Sequence, residues 1–139
     1  MSTRLTNTVA ALAAAAVIGV TSLAAPPAMA AGQISFGFSP SDPGQRQALG
    51  LGLQVFSLVQ GLSTTGANAY QNGTGNAAGF TMGGSGNHGL IYQDGNGHNG
   101  TIQQSGGNNS CGLFQFGRNT SGQCFQNGGE SGITTVFGF

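Results

Sequence analysis

Residues 87–130 read NHGLIYQDGNG, HNGTIQQSGGN, NSCGLFQFGRN and TSGQCFQNGGE, four consecutive units of eleven. In each, the first residue can hydrogen-bond (Asn87, His98, Asn109, Thr120), the seventh is glutamine (Gln93, Gln104, Gln115, Gln126) and the ninth is glycine (Gly95, Gly106, Gly117, Gly128). A fixed period has to be recognised before any single residue is interpreted, because it marks one supersecondary unit laid down repeatedly. Outward from this stretch, the same columns continue upstream through Asn76, Met82 and Gly84 and through Thr65, Gln71 and Gly73. Downstream they continue through Ser131 and Phe137, giving seven units in register.

Each unit is a seven-residue segment followed by a four-residue Gly/Asn turn, too short for a stable helix and the usual size of a strand. Neighbouring residues of a strand point to opposite faces. Asn87, Gly89, Ile91 and Gln93 are therefore placed inward, as are His98, Gly100, Ile102 and Gln104, then Asn109, Cys111, Leu113 and Gln115, then Thr120, Gly122, Cys124 and Gln126. If consecutive segments run in opposite directions across a core, Gly89 faces Ile102, Ile91 faces Gly100, Leu113 faces Gly122, Ala67 faces Phe80 and Cys111 faces Cys124. Large meets small almost throughout, as a thin, close-packed core requires.

Two segments make a layer of 22 residues, and such layers stack as parallel strands about 4.8 Å apart. The fold expected is an all-β, amyloid-like, two-sheet β-solenoid of strand-turn-strand layers. Stacking sets like on like: Gln71, Gln93 and Gln115 in one ladder, Gln104 and Gln126 in the other, with Asn76, Asn87 and Asn109 repeating beside them. Each amide donates to one neighbouring layer and accepts from the other. Tyr70, Tyr92, Phe114 and Val136 fall 22 residues apart on an outer face, an aromatic column, and the charged Asp94, Arg118 and Glu130 are placed in turns. A solenoid of this kind has two ends with unpaired backbone groups, which soluble solenoids blunt with caps, prolines or charges. No proline follows Pro43, so each end reads as a template for another copy.

The rest of the chain is different. Arg4 precedes an apolar stretch from Val9 to Val20, and Ala28-Met29-Ala30 supplies small residues at a cleavage position, the pattern of a secretory signal over residues 1–30. The stretch is shorter than the ~20 residues that span a bilayer. Residues 31–61 read as an N-terminal linker with a short helix as one option. Asp42-Pro43 is a cap followed by a first-turn proline, and Leu49, Leu53, Phe56 and Val59 lie near one face of Gln45–Gln60. Gly50 and Gly52 count against a helix, and Leu49, Leu51, Leu53 and Val55 alternate as in a strand. Residues 62–139 form the repeat domain.

Composition narrows the function classes. The 139 residues include 27 glycines, 4% are charged and the net charge is zero. Without a basic surface there is no means of displacing counterions from nucleic-acid phosphates. Beyond residue 30 the chemistry-bearing side chains are Asp42, Asp94, Glu130, His88, His98, Cys111 and Cys124, a thin pool for catalysis.

The pattern of a polar residue, five residues, then Gln-x-Gly resembles the curlin repeat. Asn87-x5-Gln93-Asp94-Gly95 and Asn109-x5-Gln115-Phe116-Gly117 carry the resemblance most clearly, and Gly86–Arg118 is similar to the shorter curlin-like subunits of alphaproteobacteria. It covers about Gly66 to Phe139. What it implies is a homopolymer: a secreted subunit of an extracellular curli fibre (a pilus of functional amyloid) at the bacterial surface. It further implies export through an outer-membrane curli-type pore, a nucleator subunit as partner, roles in adhesion and biofilm matrix, and no cofactor. Met82 and Phe137 in place of glutamine, Phe139 in place of glycine, and the cysteine pair depart from the pattern.

Other motifs have plainer explanations. Gly84-x-Gly86-x-x-Gly89 and Gly95-x-Gly97-x-x-Gly100 match a dinucleotide fingerprint, but they recur with the period and lack the strand, helix and acidic residue the mechanism needs. Cys111 and Cys124 read as either a disulfide or two buried thiols. With His88 and His98 they fit no ordinary zinc spacing. Asn72-Gly73-Thr74, Asn99-Gly100-Thr101, Asn108-Asn109-Ser110 and Asn119-Thr120-Ser121 are formal glycosylation sequons in Asn-rich turns, and Ile133–Phe139 resembles a terminal barrel strand but stands alone. A rival to the fibre reading is a monomeric secreted solenoid that binds a ligand through Tyr70, Tyr92 and Phe114.

Overall fold

The computed structural model describes residues 32–139; the signal sequence read over residues 1–30 lies outside the described residues. Strands β2 (Gly66–Asn72), β3 (Ala77–Met82), β4 (His88–Asn96), β5 (Asn99–Ser105), β6 (Ser110–Arg118), β7 (Ser121–Asn127) and β8 (Ser131–Gly138) follow the repeat. Within the repeat, even-numbered strands form one sheet and odd-numbered strands the other: β8-β6-β4-β2 on one side of the core, β3-β5-β7 on the other. All these neighbours pair in parallel, with Tyr70 beside Tyr92 beside Phe114 and Ile102 beside Cys124, 22 residues apart. The fold is a two-sheet β-solenoid.

The inner core is built as alternation dictates. Ile91, Ile102, Cys111, Leu113, Cys124 and Val136 form one buried cluster, with Ala78 and Phe80 against it. Gly100 shows why glycine is needed there: a Cβ would lie 3.0 Å from Leu113 Cδ2 and 3.1 Å from Ile91 Cγ2. The side chains nearest Gly89 belong to Met82 and Phe80 of the preceding segment. The Gln-x-Gly glycine serves a different purpose. Gly95 has φ +132°, and a Cβ there would run into the Gly117 carbonyl one layer on, so only glycine lets consecutive turns stack.

Three expectations about strand boundaries and register need correcting. The column that was to continue from Phe114 to Val136 slips by one residue at β8: Phe114 pairs with Thr135, Gln115 with Val136 and Phe116 with Phe137. The turn Gly128–Glu130 is one residue shorter than its counterpart Gly106–Asn109. A one-residue slip reverses every side chain, so Val136 points inward, fully buried, and Phe137 leaves the glutamine column. Second, β4 and β6 run to Asn96 and Arg118, which puts Asp94 and Arg118 on strands rather than in turns. Both sit beyond the last inward glutamine, so their charges stay at the solvent edge.

The third correction concerns the segment read as a linker. Gln33–Phe38 forms strand β1, which joins the edge of β8 antiparallel, Gln33 opposite Gly138 through Phe38 opposite Ile133. Ile34, Phe36 and Phe38 are half-buried while Ser35 and Gly37 are exposed, the alternation of a strand with one face on a core. Helix α1 (Pro43–Val59) follows. Asp42 caps it, its Oδ1 accepting from the Gln45 N–H at 3.0 Å, and proline in the first turn loses no hydrogen bond.

Helix wins over strand in Gln45–Gln60 because of what it covers. Leu53 and Phe56 bury against Leu90, Phe114 and Ile133, one residue from each of β4, β6 and β8. Gly50, unfavourable by propensity, gives close approach: a Cβ would lie 3.1 Å from Ser110 Oγ. Val59, placed on the apolar face, is instead exposed with Leu51, Val55 and Leu58.

Candidate functional site

The glutamines of the repeat face each other down the stack. Gln71 Nε2 donates to Gln93 Oε1 at 2.7 Å, and Gln93 Nε2 to Gln115 Oε1 at 2.8 Å. On the opposite sheet Gln104 Nε2 donates to Gln126 Oε1 at 2.8 Å. Every bond runs the same way, towards the β8 end. Four of the nitrogens donate to a backbone carbonyl across the core: Gln93 to Ala77, Gln104 to His88, Gln115 to Asn99 and Gln126 to Ser110. These four amides therefore tie neighbouring layers and also close the sandwich. Gln93 and Gln115 are fully buried, where an unpaired amide is costly. Among the described residues one ladder glutamine has such an atom: Gln104 Oε1 has no partner, because Met82 stands below it where the ladder would put a donor.

The first column of the repeat pins the turns. Asn76, Asn87 and Asn109 accept, through Oδ1, the backbone N–H one layer on, from His98, Asn109 and Glu130 respectively, at 3.0 to 3.1 Å. Their amide nitrogens donate to turn carbonyls, Asn76 to Gly95 at 2.9 Å and Asn87 to Gly106 at 3.1 Å. Glu130, not Ser131, holds this column's place on the last turn, another result of the one-residue slip. His98 substitutes for asparagine by bonding Thr120 Oγ1 at 2.7 Å.

Cys111 and Cys124 are joined by a disulfide with Cα atoms 6.7 Å apart, linking β6 to β7 across the core. The glycines facing the inner columns keep the sandwich narrow enough for that reach. Among the described residues no three His, Cys, Asp or Glu side chains gather into a metal site. His88 lies under α1, its Nε2 3.1 Å from Ser57 Oγ, and burial holds its imidazole below the ordinary value.

The aromatic column is buried at Phe114 and half-covered at Tyr70 and Tyr92. Tyr70 stacks on Tyr92 with ring centroids 4.9 Å apart, but Phe56 of α1 packs edge-on against both Tyr92 and Phe114. Phe114 is only 3% exposed. Tyr70, Tyr92 and Phe114 thus do not form a continuous open ligand face, and the repeat columns alone do not reveal the cover because α1 lies outside the repeat. The signal that could have shown it is the apolar outward series on the even-numbered strands, Leu90, Phe114, Phe116 and Ile133.

The two ends of the stack differ. At the β2/β3 end no strand follows among the described residues, and Gln71 and Asn72 are exposed. At the other end β1 occupies the edge of β8, and the Gln33 side chain bonds both backbone groups of Ser121 on β7, at 2.7 and 2.8 Å. The expectation of two open ends is corrected: one is open and one is plugged. Comparison with known proteins returns no matching family, no matching curated relative and no matching solved structure.

Proposed function

We propose that this chain is a secreted structural subunit of a curli-like extracellular amyloid fibre, which self-assembles by end-to-end stacking of its layers and supports adhesion and biofilm matrix. Its partners on this reading are further copies of itself, a nucleator subunit and an outer-membrane curli-type pore. The single observation that carries the reading is that the in-register parallel ladder runs unbroken to a bare edge at β2 and β3, with no charge or proline on either strand. Natural sheets blunt such edges, and one left bare beside a side-chain ladder is built for a further copy. The low charge removes the repulsion that would oppose stacking.

The test is polymerisation of the purified chain near neutral pH. A lag, seeding by preformed fibres and a meridional diffraction spacing of about 4.8 Å are expected. A chain that remains monomeric for days, seeded or not, rules the reading out.

A further inference from the structure

The repeat supplies seven strands, four in one sheet and three in the other. Because successive strands alternate between sheets, the place after β8 is in the three-stranded sheet, on β7. If a second copy continues the stack, its β2 belongs on β7 and its β3 on β8, each in the sheet opposite to the one it occupies in its own chain. Consecutive copies are then related by a half-turn about the stacking axis.

The side chains at the two ends match only in this crossed arrangement. In the three-stranded sheet the ladder ends at Gln126, whose nitrogen donates to Ser110 at 2.9 Å and has a second hydrogen with no acceptor among the described residues. In the four-strand ladder Gln71 comes first: its nitrogen donates to Gln93, and its Oε1 accepts from no side chain among the described residues. A free donor ends one sheet and a free acceptor begins the other. The two strands that lack a ladder glutamine are also terminal, Val136 on β8 opposite Gln115 and Met82 on β3 opposite Gln104.

Crossing sets Gln126 against Gln71 and Val136 against Met82, polar on polar and apolar on apolar. Straight stacking, β2 on β8 and β3 on β7, sets Gln71 against Val136 and Gln126 against Met82, repeating twice the mismatch that leaves Gln104 Oε1 unpaired. In the crossed register Tyr70 also falls on Phe125, which is 62% exposed on the last strand of its sheet, and Asn72 falls on Asn127. One obstacle remains: β1 holds the edge of β8 that the incoming β3 requires.

We infer that the partner of the plugged end is a second copy of this chain turned by half a revolution, pairing its β2 with β7 and displacing β1 from β8 with its β3. This inference rests on the fibre reading above and specifies its joint. The contact is heterologous, so it generates an open filament rather than a closed pair.

Cysteine cross-linking separates the arrangements. A mixture of full chains carrying Asn72→Cys and full chains carrying Asn127→Cys, both exposed positions, is polymerised and oxidised, and the bonds are mapped by mass spectrometry. A dimer linked between positions 72 and 127 is expected, with each variant alone giving background only. A mixture of Thr81→Cys and Phe125→Cys reports straight stacking; a dimer from that mixture overturns the inference. Fibres without either cross-link overturn it while leaving the fibre reading intact, and a wild-type chain that never polymerises removes both. Displacement of β1 has its own readout: Phe36→Pro, which breaks the pairing of β1 with β8 and changes no residue of the repeat, is expected to shorten the lag several-fold. A longer lag would mean that β1 stays on β8 in the fibre.

Discussion

The two sheets share a period and an inner face but not an outer one. On the even-numbered strands the outward residues Leu90, Phe114 and Ile133 are buried beneath α1, whereas on the odd-numbered strands Thr81, Gln103, Gln123 and Phe125 are exposed. The inward columns are equivalent in both. The repeat therefore specifies the sandwich, while the residues it leaves free specify which sheet gains a second core. This division explains why α1 settles on one side only: the bare sheet offers amides and hydroxyls where a helix needs apolar surface.

The comparison breaks most completely if the cover is removed. Phe56→Ala takes away the ring between Tyr92 and Phe114 and leaves a cavity over the covered sheet, an expected loss of about 3–5 kcal/mol by urea unfolding; a loss under ~1 kcal/mol would mean that α1 is a passenger. The disulfide tests how far the two sheets act as one. Replacing both Cys111 and Cys124 by alanine should cost about 2–4 kcal/mol and separate the exchange protection of β6 from that of β7. Equal protection in the variant would show that the glutamines alone couple the sheets.

A milder and reversible effect lies at the seam between helix and sheet. Burial disfavours protonation of His88 in the fold, holding it below the ordinary value of 6.5. The unfolded chain takes up that proton as pH falls through about 6.5, so stability is highest above that pH and declines below it. Urea midpoints measured from pH 7.5 to 5 should fall in the wild type and fall less in His88→Asn; parallel curves would refute the assignment. Smallest of all, Gln103→Ala on the bare sheet should stay within about 0.5 kcal/mol of wild type. A larger change would show that this face is covered by something other than water.

The inner face was legible because an eleven-residue period with alternation leaves little freedom: all sixteen residues placed inward between Asn87 and Gln126 are buried. The slip at β8 escaped because the glutamine column was extended by counting. The signal present was serine, with Ser110, Ser121 and Ser131 each opening a strand, and the last interval is ten rather than eleven. Strand β1 and the seat of α1 were illegible for a different reason. Their partners lie in β4, β6 and β8, and no local pattern in Gln33–Val59 names a distant strand; only the apolar outward residues of those strands hint at a missing layer.

Pairing of β1 with β8 also orders events in time. The first described strand has its partner about a hundred residues later, the most distant strand pairing among the described residues, and such contacts close slowly. The layers between them can zip neighbour by neighbour. During synthesis Gln33–Phe38 emerges before every strand of the repeat and must wait for Ile133–Gly138, so a chain still missing its last dozen residues has no β8 for β1 to close upon.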